Sequence, residues 1–117
     1  MTDRELLELA AKAAGIEIDK SPYNGGGLGN TGFDLLGNAV LDWHNGTTWN
    51  PLTDDGDALR LAVKLGLDVL QIKETKFVKV EDYWAQAAIS EPHNNDPYAA
   101  TRRAIVRAAA EIGRNMK

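Results

Sequence analysis

The sequence predicts an α/β protein of the α+β type, with about three helices around a mostly antiparallel sheet in a two-layer or three-layer sandwich. Three observations carry this. Capped apolar stripes at helical spacing occupy both ends of the chain and its centre, two β-rich runs flank Glu74-Thr75-Lys76, and Asn45-Gly46 separates two further β-type runs as a hairpin turn. With 117 residues, 44% of them hydrophobic and 26% charged, the chain fits one globular domain, 1–117, with a modest core.

At the start, Thr2-Asp3-Arg4-Glu5 reads as a capping box, the hydroxyl taking an amide of the first turn while the Glu5 carboxylate reaches back. Leu6, Leu7, Leu9, Ala10, Ala13 and Ala14 follow, and Gly15 ends the helix. Ile16-Glu17-Ile18 alternates apolar and acidic and predicts a short edge strand, limited by Ser21-Pro22. Five glycines in residues 24–32 predict a loop, because glycine loses the most backbone entropy on ordering. That loop contains Gly27-x-Gly29-x-x-Gly32, the letters of the dinucleotide fingerprint. It lacks the strand directly before and the helix directly after that give the motif its mechanism.

A two-residue type I′ turn at Asn45-Gly46 sets His44 opposite Thr47, Trp43 opposite Thr48 and Asp42 opposite Trp49. Asn50-Pro51 then makes a turn, Thr53 offers a cap, and Asp54, Asp55 and Asp57 crowd the positive end of a second helix. Ala58, Leu61, Ala62 and Leu65 form its buried stripe, widened by Leu59 and Val63, while Asp57, Arg60 and Lys64 line the opposite face and Gly66 closes it. Residues 68–73, 77–81 and 83–90 predict an antiparallel meander, with helix as the alternative for 84–89 because alanine and glutamine favour that state. After a polar loop, 91–95, Asp96-Pro97 starts the last helix. Its inner stripe is Tyr98, Thr101, Ile105, Ala108 and Ile112, with Ala104 and Ala109 permitting close approach and Gly113 as its stop, while Arg103, Arg107 and Glu111 stack outside near Arg102.

Composition narrows the function. The absence of cysteine excludes disulfides, thiol catalysis and thiolate metal sites, and two histidines leave metal chemistry to carboxylates. A net charge of -4 argues against generic phosphate-backbone binding. No apolar run spans a bilayer and no signal segment is present, so a cytoplasmic protein is expected, with no membrane association. Trp43, His44 and Trp49 make a recognition surface on the hairpin, or else the two tryptophans cover the core. Asp54, Asp55 and Asp57 are the best acid-base or metal candidate, yet helix capping explains all three and the spacing of a calcium loop fails. Arg102, Arg103 and Arg107 form a locally basic stripe that would hold phosphates or an acidic partner, or serve as a solvated face. Neither histidine sits in a nucleophile-base arrangement, so no catalytic residue, cofactor or metal is assigned.

The blocks WNPLTDDGDALRLAVKLGL and DPYAATRRAIVRAAAEIG resemble a family of small bacteriophage proteins described as phage ABA-sandwich domains. The resemblance covers roughly a third of the chain. It implies α/β/α layering and a phage or prophage origin, hence a bacterial host cell, and it carries no catalytic motif to transfer. The expectation is a non-enzymatic accessory protein that binds a host or phage protein through Trp43, His44, Trp49, Asp54, Asp55 and Asp57. The alternative is a small nucleic-acid or nucleotide binder using Arg102, Arg103 and Arg107; a third reading is a homo-oligomer.

Overall fold

A computed structural model describes residues 1–21, 31–82 and 87–116. Among them run α1 (Asp3–Ala14), β1 (Ala39–Asp42), β2 (Thr47–Trp49), α2 (Asp55–Leu65), β3 (Leu67–Ile72), β4 (Phe77–Asp82), β5 (Ala88–Pro92) and α3 (Pro97–Arg114). The α+β class holds: β1 and β2 form an antiparallel hairpin, and β3, β4 and β5 an antiparallel meander in that order. Residues 83–86 and 24–30 lie outside the described residues. So do residues 84–86 of the strand-or-helix alternative at 84–89, of which 88 and 89 are strand, and Gly27 and Gly29 of the fingerprint.

The last helix is the pillar of the fold. It is buried along more than one face, at Ala100, Ala104, Ile105, Val106, Ala108, Ala109, Ala110 and Gly113. One side packs on α1, another on β4 and β5, and α2 lies alongside on the β3 side. The layers therefore run sheet, α3, α1, with the helices on one side of the meander. The α/β/α order implied by the resemblance is not the order seen. The sheet turns Val78 and Val80 into the core, while its other face carries Leu70 and Phe77 in solvent.

Local signals hold at the helix starts. Thr2 and Glu5 make the reciprocal capping box, Gly15 and Gly66 close α1 and α2 at φ 70° and 66°, and Asp96 accepts the Ala99 amide ahead of Pro97. The second helix begins one residue later than expected, because Asp54 rather than Thr53 is its cap. Leu59 and Val63 do not widen the buried stripe; they point to solvent, 64% and 73% exposed. Tyr98 likewise leaves the inner stripe of α3 and is 71% exposed.

Gly113 is not a stop. The helix continues through it to Arg114, and a Cβ placed there would lie 2.0 Å from the Leu9 carbonyl oxygen. Glycine is needed because α1 and α3 cross backbone to backbone.

The hairpin differs from its expected form. Trp43–Gly46 is a four-residue turn in which the Gly46 amide donates to the Asp42 carbonyl, and only Gly46, at φ 75°, leaves the usual backbone range. Asp42 faces Thr47 rather than Trp49, Ala39 faces Trp49, and a register irregularity falls between Val40 and Asp42. Side chains explain the turn: the Asp42 carboxylate accepts the His44 amide, and the Asn45 carbonyl accepts the Thr47 amide. These local bonds favour the longer turn over the type I′ geometry. The expected edge strand at 16–18 does not form, although the Asp19 amide donates to the Val40 carbonyl at 2.8 Å. Strand β5 reaches Pro92, into what was expected to be a loop.

Gly113→Ala is expected to lower stability by about 1–3 kcal/mol despite alanine's better helix propensity, since backbone must move to admit the methyl group. A urea unfolding midpoint that stays or rises would show that the crossing is looser than described.

Candidate functional site

The residues singled out as recognition or chemistry candidates are, in large part, partners of one another. Trp49 is 6% exposed and belongs to the core. Trp43 is half-buried; its Nε1 donates to the Asp19 carbonyl at 2.8 Å and its amide to the Asp19 carboxylate at 3.1 Å. It ties the segment after α1 to the hairpin. His44 is exposed in the turn. The Ser21 hydroxyl, then the Trp43 and Ser21 amides, hold the Asp19 carboxyl below its ordinary value of 3.8, with a smaller contribution from His44.

The three acids at the start of α2 each have a structural task. Asp54 caps the helix by accepting the Asp57 amide at 2.8 Å. Asp57 accepts the Asn50 amide at 2.9 Å and pairs with Arg60 at 2.8 Å. Asp55 meets Arg102 at 2.7 Å, and the Arg102 Nε donates to the Leu52 carbonyl at 2.8 Å. Arg103 pairs with Asp3 at 3.2 Å, and Arg107 with Glu91 of β5. The acid cluster and the arginine stripe, which read as rival sites, thus share a clamp at Asp55 and Arg102. Among the described residues no group of three or more histidines or carboxylates is placed to hold a metal ion.

What the sequence does not reveal is a groove of about 650 Å³ between α2, α3 and the helix-facing side of β3. Ala58 and Ala62 of α2, Val69 of β3 and Ile105 of α3 give it apolar walls, and Leu59 and Tyr98 stand at its rim. Because α2 and β3 are joined at Gly66, the groove opens toward the other end of both, where Asp55, Lys73, His93 and Pro97 line it.

One wall is polar and internally satisfied. The Thr101 hydroxyl lies 2.6 Å from the Pro97 carbonyl, which only accepts, so Thr101 donates. Gln71 must then donate its amide to Thr101 at 2.7 Å, which turns the Gln71 carbonyl toward His93 Nε2 at 2.8 Å. His93 therefore carries a hydrogen on Nε2. Thr101 directs its proton into the helix rather than to a base, and a nucleophile needs the reverse. Lys73 and Lys76 have no acid within ion-pair distance among the described residues. Of the two, Lys73 lines the mouth of the groove, where Asp55 is already paired with Arg102.

No protein-family model, curated protein or solved structure matches the chain. The likeness to the phage family stands on the two sequence blocks alone. No helix among the described residues is long and apolar enough to cross a membrane.

Two outcomes follow. Arg102→Met is expected to cost about 1–2 kcal/mol, because a half-buried charged donor to the Leu52 carbonyl is lost, whereas Asp55→Asn costs under about 1 kcal/mol because Asp55 is largely solvated. Equal losses in chemical unfolding would contradict that division. The lowered Asp19 value means its stabilising bonds are complete above the ordinary carboxylate value and weaken as pH falls below it, through the folded value. Trp43 emission should accordingly shift below pH 3.8, and Asp19→Asn should abolish that acid transition.

Proposed function

We propose that the chain is a non-enzymatic phage or prophage accessory protein that binds another protein in the cytoplasm of a bacterial host. The docking surface in this reading is the α2–α3–β3 groove rather than the hairpin. The observation that carries it is the groove: apolar walls, a polar wall whose hydrogen bonds are already made, and Lys73 at its mouth with no acid within ion-pair distance among the described residues. Such a surface favours an apolar segment flanked by acidic residues, with the exposed Tyr98 as an aromatic anchor. The hairpin is a weaker candidate, since Trp49 lies in the core and Trp43 is occupied by Asp19. The phosphate-binding alternative finds Arg102, Arg103 and Arg107 each held by an acid from another element.

The test is capture from nuclease-treated host lysate by the wild-type protein and by three folded variants. A partner held in near-equal amounts should be lost with Tyr98→Asp and weakened by Lys73→Glu, yet retained by Trp43→Ala. Capture that survives both groove substitutions, or that disappears with nuclease treatment, would overturn the reading.

A further inference from the structure

At the end of the meander away from Gly66, a second depression of about 600 Å³ lies between the turn joining β3 to β4 and the turn leading from β5 into α3. Backbone bonds fix the two turns against each other. The His93 amide donates to the Lys76 carbonyl at 2.9 Å, and the Asp96 amide closes the second turn on the His93 carbonyl at 2.9 Å. Asn94 and Asn95, at φ 49° and 70°, give that turn its left-handed centre, which asparagine adopts readily. Lys76, at φ 59°, takes the same region, where glycine or asparagine would cost less than lysine. These three are the non-glycine residues of positive φ among the described residues, and all three line the depression.

The lining is rich in donors that the protein does not use. Lys73, Thr75, Lys76, Asn94 and Asn95 make no side-chain hydrogen bond or ion pair among the described residues. No carboxylate lines the depression among them. Of the acids nearest in sequence, Glu74 is exposed in the first turn, Glu91 is held by Arg107, and Asp96 accepts the Ala99 amide at 3.0 Å. In a protein with 17 acids against 13 lysines and arginines, a lining with two lysines and no acid favours an anion.

We infer that this depression is a binding site for the phosphate group of a small organic phosphate monoester. Two ammonium groups, one hydroxyl and two carboxamides supply more donors than the two oxygens of a carboxylate need, and suit the three terminal oxygens and double charge of a phosphate. Phe77 and Pro92 stand opposite each other across β4 and β5, and so on one face, with Phe77 37% exposed. They form an apolar strip beside the cations for the organic part of the ligand. The volume falls within the roughly 300–1,000 Å³ usual for small-molecule sites. The site abuts the groove. Lys73 and His93 line both, whereas Thr75, Lys76, Phe77, Asn94 and Asn95 line the depression and not the groove. Variants at these five positions therefore separate a phosphate site from the docking surface.

Amide NMR of the full chain at fixed ionic strength, titrated with phenyl phosphate, inorganic phosphate or benzoate, reads the site directly. Phenyl phosphate should give saturable shifts centred on residues 73–77 and 93–96, with inorganic phosphate and benzoate each bound about tenfold more weakly. Lys76→Asn is the decisive variant, because it removes the charge while giving the left-handed position a residue that suits it. It should be at least as stable as the wild type and bind phenyl phosphate about tenfold more weakly. Asn95→Gly, which keeps the turn and removes the carboxamide, should weaken binding about threefold. Tyr98→Asp should leave the titration unchanged. Absence of saturation, shifts spread equally over Lys12, Lys20 and Lys64, or full affinity in Lys76→Asn would each overturn the inference. Benzoate as tight as phenyl phosphate would overturn the choice of phosphate, and inorganic phosphate as tight would overturn the role of Phe77 and Pro92.

Discussion

Everything in this structure is arranged around the backbone crossing of α1 and α3 at Gly113, where only a hydrogen fits in front of the Leu9 carbonyl. That approach lets the alanine-rich α3 lie between α1 and the meander, buried on more than one face by residues too small to hold helices apart. The consequence is an asymmetric molecule. With α1 stacked behind α3, the remaining helix, α2, covers the β3 side, and it does so incompletely. The groove is the result of that incomplete cover.

The charged residues follow the same logic. Arginines placed along α3 reach outward to one acid each on α1, α2 and β5, so they fasten the elements that pack around the central helix. An exposed ion pair of this kind contributes little alone, about 0–1 kcal/mol. Arg102 differs because it also donates to the Leu52 carbonyl, which fixes the chain leading into α2 and so the position of the groove's outer wall. Lys73 lies beyond the ion pairs among the described residues and keeps its charge available at the mouth.

What could be read from the sequence was what is decided within a few residues. The capping box at Thr2, the left-handed glycines Gly15 and Gly66, and Asp96-Pro97 all act within a single turn. The meander was visible for the same reason, in two β-rich runs and a short turn. Gly113 was misread because a glycine near a helix end has the same local pattern whether it terminates the helix or admits a neighbour's backbone. Leu59, Val63 and Tyr98 were assigned to buried stripes because spacing gives the apolar face but not what stands opposite it. The Asn45-Gly46 turn yielded to the side-chain bonds of Asp42 and Asn45. The candidate site itself was not legible, since Ala62, Val69 and Ile105 become neighbours only when three separate elements meet. The Asp55–Arg102 clamp spans 47 positions, and nothing local distinguishes it from a helix cap and a solvated arginine.

The docking surface proposed above lies on the α2–β3 side of α3. Residue-resolved hydrogen exchange, recorded on the dilute protein and again with a captured partner, addresses it most directly. Protection gained in β3, α2 and the first turn of α3, with α3 beyond Ala104 already the slowest to exchange, is the predicted result. Gains confined to the hairpin between Trp43 and Trp49, or to the turns carrying Arg103 and Arg107, would contradict it.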